Sequence, residues 1–532
     1  MGAIFSALQN AIKGLKAAIS LLINLSSEFN QALKRASQPP GLPAPEPTEP
    51  YWLNDPPFPK LVNVRSYELP QTADVAIIGS GIAGAAIARS LLHERRRCNI
   101  DTKEKVVVFE ARQLCSGATA RNGGHIKVAP YEAFARFSKE MAKDRAAALV
   151  RFQMQHVETL IGLCKNEGIE IAEARSVQTV DLFLDDQTFR EAVESVEEMK
   201  KYLPEVEISV WDRQKTRENF DANHSVVGAL SYRAGAIWAY RFTVSIWERL
   251  LADFPDNLTI ETDTPVEAVN ATDDGPEGFP YAVKTTRGTL YVRHVVHATN
   301  AFASHLVPGL RNKIVGARAH MSAQQPGKNF TSFDGMRSWS IIYKGGFDYV
   351  SQRPCPPGTT QGDLLLGGGF MRSAKQGMDQ IGIYDDSLTL DALTVSHIAG
   401  IFPAIFAPKW GMGAGVKQVW SGILGLTGDS LPFVGLLGTK FTGRNVLTQK
   451  IVSPGAHQHG EWIAAGFCGE GMVWAWLCGT GLGIMIAGTE KQHVEESPGR
   501  PGGKLGEWLP RELLVSNKRV RTADISNLAN QI

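Results

Sequence analysis

The chain has no surplus charge of either sign: 55 Lys and Arg stand against 54 Asp and Glu in 532 residues. That balance removes any electrostatic case for a nucleic-acid partner. Cysteine is sparse, and the six present (Cys98, Cys115, Cys164, Cys355, Cys468, Cys478) form no C-x-x-C pair. Their pattern argues against a redox pair or zinc site and favours a reducing, cytoplasmic compartment. His457-x-His459 has no Cys or carboxylate cluster beside it, so no metal is expected. In residues 1–36 no uninterrupted apolar run approaches the roughly 18 residues of a membrane-spanning helix. No internal repeat is apparent. Sequons such as Asn257-Leu258-Thr259 arise by chance in a chain this long and do not signal secretion. What remains is an ordinary globular composition, 43% hydrophobic and 20% charged, with length for roughly three to four domains.

Acidic residues are also scarce at the start, where Glu28 is alone in residues 1–36. This helix-compatible arm has three readings. Met1-Gly2-Ala3-Ile4-Phe5-Ser6 fits an N-myristoylation pattern; an acid-poor amphipathic start suits an organelle or weak secretory signal; or the arm packs on the body or on a partner subunit. Peripheral membrane association or self-association would follow from the first or last. "QPPGLPAPEPTEP" (38–50) reads as a semi-rigid proline-rich spacer, so the catalytic body is expected from about residue 51.

There the chain gives its strongest local signal. Val75-Ala76-Ile77-Ile78 fits a buried parallel strand, Gly79-Ser80-Gly81-Ile82-Ala83-Gly84 matches G-x-G-x-x-G, and an alanine-rich helical stretch follows. Glycines let this turn tighten, let backbone N–H groups approach a pyrophosphate, and let helix and strand pack closely. NAD, NADP and FAD all suit such a turn. A second apolar strand, "KVVVFEAR", ends in Glu110, placed to bind ribose hydroxyls, with Ala111 and Arg112 beside it. No second strand–G-x-G-x-x-G–helix unit occurs, so a built-in NAD(P)H site is not expected.

"QLCSGATARNGGHI" after that Glu strand resembles the G-A-T-x-R-N-G-G segment of the D-amino acid oxidase-like FAD oxidoreductases, the group of glycine, sarcosine and γ-glutamylputrescine oxidases. "TPVEAV", "HVVHATNAF", "FDYVSQRP", "LLLGGGF", "WSGILGLTGDSLPFVG" and "AAGFCGEGMVWAWLCGTGLG" follow in the family's order, covering about residues 51–488. The opening "PYWLNDPP" and the layout look most like a fungal branch. The resemblance implies an α/β fold: a Rossmann-type FAD-binding domain with an inserted α+β substrate domain on a mostly antiparallel sheet. The expected order is arm (1–36), linker (37–50), FAD domain (51–135, 226–310, 415–490), substrate domain (136–225, 311–414) and tail (491–532).

The implied cofactor-binding residues are Gly79, Gly81, Ile82, Ala83 and Gly84 in the turn; Glu110, Ala111 and Arg112 at the second strand; and Ala118, Thr119, Arg121, Asn122, Gly123 and Gly124 in the "ATARNGG" loop. Val266, Thr299 and Asn300 follow, then Gly422, Asp429, Gly469, Gly471 and Met472 in the C-terminal segments. Gly-rich helix starts such as Gly469–Met472 could offer N–H donors to the flavin's N1–C2=O edge, whereas the later "CGTGLGIMIAG" reads as close helix packing. The positions that carry covalent anchors in some relatives are Gly422 and Arg121 here, so non-covalent FAD is expected.

The resemblance implies oxidation of a C–N bond in a small amine or amino acid, by hydride transfer to flavin, with imine hydrolysis and electrons passed to oxygen. Residues weighed for catalysis are His125 as a base, Tyr349 and Trp420 as aromatic walls, Arg318 and Arg353 as a carboxylate clamp, and Lys344 as a charge assisting oxygen. Two alternatives stay open: a dehydrogenase passing electrons to a carrier, and a flavoprotein whose role is assembly or binding.

Overall fold

The computed structural model describes residues 27–99, 104–387, 390–446 and 459–530. The myristoylation pattern, residues 1–26 of the arm, and His457 lie outside them.

Two sheets organise the chain. In the first, strands run in the order Phe433–Leu436, Gly460–Ala465, Gly288–His297, Thr72–Ile78, Val106–Phe109, Leu258–Glu261, parallel from Gly460–Ala465 onward. Val266–Ala271 and Tyr281–Thr285 extend it antiparallel beside Gly288–His297. Continuous apolar runs such as Val106–Phe109, buried at every position, are what a parallel sheet covered on both faces requires. The second sheet has nine strands and is antiparallel except where Arg337–Tyr343 runs parallel to Arg175–Phe183. Its longest pair, Ile314–Gln325 with Gly415–Thr427, carries the chain from one sheet's neighbourhood to the other's. This is the α/β architecture that the sequence implies: a Rossmann-type unit with a largely antiparallel α+β domain inserted into it.

Helix Ile82–Arg97, which begins at the glycine turn, packs along helix Ala475–Ile486. The approach is close because small residues face each other: a Cβ on Gly479 would lie 2.8 Å from both Ala83 O and Ala86 Cβ. The "CGTGLG" run is thus close packing, as its composition suggests. Trp474 and Trp476 are fully buried beside it, part of the largest core cluster. Two further helices run at Asp186–Lys200 and Ala239–Asp253. Among the described residues, no helix is long and apolar enough to cross a membrane.

Among the three readings of the arm, residues 27–36 follow the one in which it packs on the body. Residues 27–36 form a helix whose Ala32 and Ala36 are buried against Val315, Ile381 and Ile525. Arg35 Nε donates to Ile381 O at 2.9 Å. The proline-rich stretch after it is not a free spacer: Thr48 is buried and its N–H donates to Asp386 O at 2.7 Å. At the other end, Leu505, Leu509, Leu513 and Val520 are core residues, so residues 491–530 do not hang free. Proline content describes a chain's stiffness, not whether a groove receives it, so the spacer reading did not foresee the contacts of Thr48.

Candidate cofactor and substrate site

A cleft of about 1470 Å³ of atom-free space, its solvent-open mouth included, runs along the C-terminal edge of the parallel strands, where open α/β sheets place their ligands. It begins at the glycine turn. Gly79 has φ +109°, and a Cβ there would lie 2.6 Å from Ala298 O; a Cβ on Gly84 would lie 2.1 Å from Gly79 O. Gly84 therefore permits the helix–strand approach, while Gly79, Gly81, Ile82 and Ala83 line the cleft. Ile82 N–H donates to Thr119 Oγ1 at 3.0 Å. The N–H groups of Ala83 and Gly84, in the first helical turn, have no intrahelical acceptor.

At the second strand, Ser80 Oγ donates to Glu110 Oε2 at 2.6 Å, and Arg112 N–H to Glu110 Oε1 at 3.2 Å. Glu110, Ala111 and Arg112 line the cleft, as do Ala118, Thr119, Arg121, Asn122, Val266, Thr299, Asn300, Gly469, Gly471 and Met472. Asn300 takes a left-handed conformation (φ +46°) and its Oδ1 accepts from Gly466 and Phe467 N–H at 3.0 and 3.1 Å. One asparagine thus joins the loop after strand Gly288–His297 to the loop after Gly460–Ala465.

Besides Gly84, four of the residues expected at the cofactor are not in the lining. Gly123 packs on Tyr349, where a Cβ would lie 2.6 Å from Tyr349 Cε2. Gly124 (φ +67°) packs on Ile237 O. Gly422 backs onto the Arg121 stem while its neighbours Ile423 and Leu424 line the cleft. Asp429 is held at 2.7 Å by Arg519 Nε from the C-terminal segment.

The catalytic candidates separate more sharply. Tyr349 and His125 lie together, ring centroids 6.3 Å apart. Burial, with Lys127 adding to it, pulls the His125 imidazole well below its ordinary value, so the ring is neutral; its Nε2 lies 2.9 Å from Ser338 Oγ. Burial pushes the Tyr349 phenol up to about 12. Trp420 is fully buried with its Nε1–H on Arg121 O at 2.9 Å, a support beneath the loop instead of an exposed wall. The arginine clamp does not form: Arg318 is bonded to Gln380 Oε1 at 3.0 Å, and Arg353 to Glu173 at 2.5 Å and the Tyr51 hydroxyl at 2.7 Å. Lys344 sits in an exposed hairpin turn facing Asp185. Charge identified these cations, but each had a closer partner.

Three charged residues not singled out from sequence gather on and beside helix Pro130–Glu140. Glu132 and Arg136 lie on that helix close to Glu470; Glu132 is exposed and the other two are partly exposed. Arg136 Nη2 reaches both Glu470 oxygens at 3.2 Å, and Gln153 Nε2 donates to Glu470 at 2.9 Å. Desolvation raises the Glu132 carboxyl above its ordinary value, Arg136 opposing and Glu470 reinforcing that shift. Beside them, Asp181 is fully buried, accepting from Tyr131 and Tyr232 hydroxyls at 3.0 and 2.7 Å and paired with Lys127. The cleft reaches this region at Asn122, Gly469, Gly471 and Met472, which flank Gly123 and Glu470 in the chain. Among the described residues no three His, Cys, Asp or Glu gather as metal ligands.

The model for FAD dependent oxidoreductases of the DAO family matches residues 74–482. The chain belongs to that family. Its fold is shared with L-proline dehydrogenase from P. horikoshii, at 22% identity and TM-score 0.54, covering 79% of this chain and 94% of that one. Glycine oxidase from Geobacillus kaustophilus is similar at 17% identity and TM-score 0.56, covering 78% and 95%. Iminodiacetate oxidase from Chelativorans sp. BNC1 is similar at 15% identity and TM-score 0.56, covering 77% and 95%. A curated relative, the probable oxidoreductase OrdL of Haemophilus influenzae, is 21% identical over 273 residues; the match spans 51% of this chain and 58% of that relative.

The cleft's own chemistry fits the family's cofactor. Thr299 Oγ1 is buried there with no partner among the described residues, a cost met when a ligand bonds to it. The helix start and its glycines suit a pyrophosphate, and the length of the lining, from Glu110 to Met472, suits a dinucleotide.

Proposed function

We propose that this FAD oxidoreductase oxidises a C–N bond of a small amine or amino acid, releasing an imine that water hydrolyses, with electrons leaving to oxygen. Non-covalent FAD in the cleft supplies the two-electron acceptor. The observation that supports the reading is the charged cluster of Glu132, Arg136 and Glu470, which adjoins the cleft through Gly469 and Gly471 on either side of Glu470 and in which the Glu132 carboxyl is raised above its ordinary value. An amine gives up its lone pair only when unprotonated, and a carboxyl of raised pKa is the better acceptor for its proton.

In this reading Glu132 is the proton acceptor, beside Arg136 and Glu470. The Glu110 carboxylate serves the ribose. The helix turn at Ile82–Gly84 serves the pyrophosphate, and the N–H groups near Gly469–Met472 serve the flavin edge. The relatives' printed names, proline dehydrogenase, glycine oxidase and iminodiacetate oxidase, all concern C–N substrates, which supports the same chemistry here.

The test is aerobic turnover of an amine and amino acid panel, reading oxygen uptake and peroxide. Peroxide formed in step with substrate loss supports the oxidase. Flavin that substrate reduces but air reoxidises slowly indicates a dehydrogenase instead. Yellow colour remaining with acid-precipitated protein would contradict non-covalent attachment.

A further inference from the structure

The lining of the cofactor cleft includes three residues from outside the matched family region, Gly41, Leu42 and Pro43. They belong to the proline-rich stretch, which is pinned on both sides. Before it, Ala32, Ala36 and Arg35 anchor the helix of residues 27–36 on Ile381 and its neighbours. After it, Trp52 is buried and its Nε1–H donates to Asn122 O. Between these anchors lies a buried polar latch. Arg121 donates from Nη2 to Thr48 O at 2.6 Å and from Nη1 to Thr48 Oγ1 at 3.1 Å and Ser421 O at 2.6 Å. Ser421 N–H donates to Thr48 Oγ1 at 3.0 Å. Arg112 Nη1 donates to Ala44 O at 3.1 Å and pairs with Asp386 at 3.0 Å.

Arg112 and Arg121 are themselves cleft-lining residues. The same two guanidiniums therefore bound the cofactor space and grip the strap. A linker that merely spans two units has no reason to be held by buried charge-assisted bonds. Proline restricts the strap's unbound conformations, so holding it in place loses less entropy. Its position beside Glu110, Ala111 and Arg112 puts it at the ribose end of the lining.

We propose that residues 41–43, latched through Thr48, form the outer wall of the adenosine half of the FAD site. Leu42 and Pro43 offer apolar surface to the purine, and release of the cofactor requires the latch to open. The proposal rests on FAD occupying this cleft.

The test uses the full-length holoprotein, diluted into flavin-free buffer, with released FAD followed by its fluorescence. Thr48→Val removes the hydroxyl of the latch. Leu42→Gly removes a side chain that is 40% exposed, which the fold tolerates; equal melting of the two apoproteins checks this. Both variants are expected to release FAD about tenfold faster or more, the effect of losing one buried hydrogen bond or one apolar contact. In the wild type, FAD should also protect residues 38–50 from protease. Release rates equal to wild type in both variants overturn the proposal. Wild-type protein that contains no flavin and takes up none overturns the cofactor assignment, and the strap's role with it.

Discussion

The Ser80 hydroxyl donates to the Glu110 carboxylate at 2.6 Å, and the Cys115 N–H donates back to Ser80 Oγ at 2.8 Å. The variable position of the G-x-G-x-x-G turn thus fixes the carboxylate that ends the second strand. Two parts of the adenosine-side site are built as one. Glu110→Gln removes the charge from that unit while keeping its shape. We expect FAD to bind the variant apoprotein roughly ten- to a hundredfold more weakly, the scale of one charge-assisted hydrogen bond, measured by fluorescence titration.

Gly84 has no room for a side chain, since a Cβ would sit 2.1 Å from Gly79 O. Gly84→Ala must push the helix off the strand or distort the turn. A loss of roughly 1–3 kcal/mol in unfolding free energy is expected from such overpacking, with weaker flavin retention, read by denaturant melts and by the flavin-to-protein absorbance ratio.

Glu132 gives the pH dependence of the proposed reaction. Desolvation raises its carboxyl above the ordinary value, and the carboxylate is the form that accepts a proton. kcat/KM should therefore fall as pH drops through this raised value, giving an acid limb above the usual carboxyl range. Glu132→Gln should lower kcat/KM by about a hundredfold or more and abolish that limb. His125→Gln should leave the limb in place.

Far from the chemistry, Arg444 holds the buried Glu461 carboxylate at 2.7 Å from both Nε and Nη2, and His297 Nε2 lies 3.1 Å from it. Burial alone would raise the Glu461 carboxyl, but Arg444 and His297 together bring it below its ordinary value. Its contribution to stability is thus present above the unfolded-state value and is lost as pH falls through the lower folded-state one. Arg444→Met leaves a buried, poorly paired carboxylate and should cost about 3–5 kcal/mol near neutral pH, measured by urea unfolding. The deficit should shrink toward acid pH.

The parts of this molecule legible in sequence are those whose physics is local. Gly79–Gly84 between an apolar strand and an alanine-rich helix needs only neighbouring residues to be understood, and so does the close-packing glycine run at Gly479–Gly483. The strap was not legible: Thr48 meets Asp386 and Ser421, more than three hundred residues away in the chain. Glu132 was passed over because a glutamate in a helix's first turn is ordinarily solvated there. Only the fold brings it near Glu470. Arg353 shows the converse error. An arginine near a flavin motif suggests a carboxylate clamp, but Glu173, 180 positions earlier, already occupies its guanidinium.

The most direct test of the account is anaerobic. Holoprotein mixed with a panel of amines and amino acids, oxygen excluded, should lose its visible flavin absorbance with at least one of them and regain it when air is admitted. A flavin that dithionite bleaches but that no amine or amino acid does would contradict the proposed C–N oxidation.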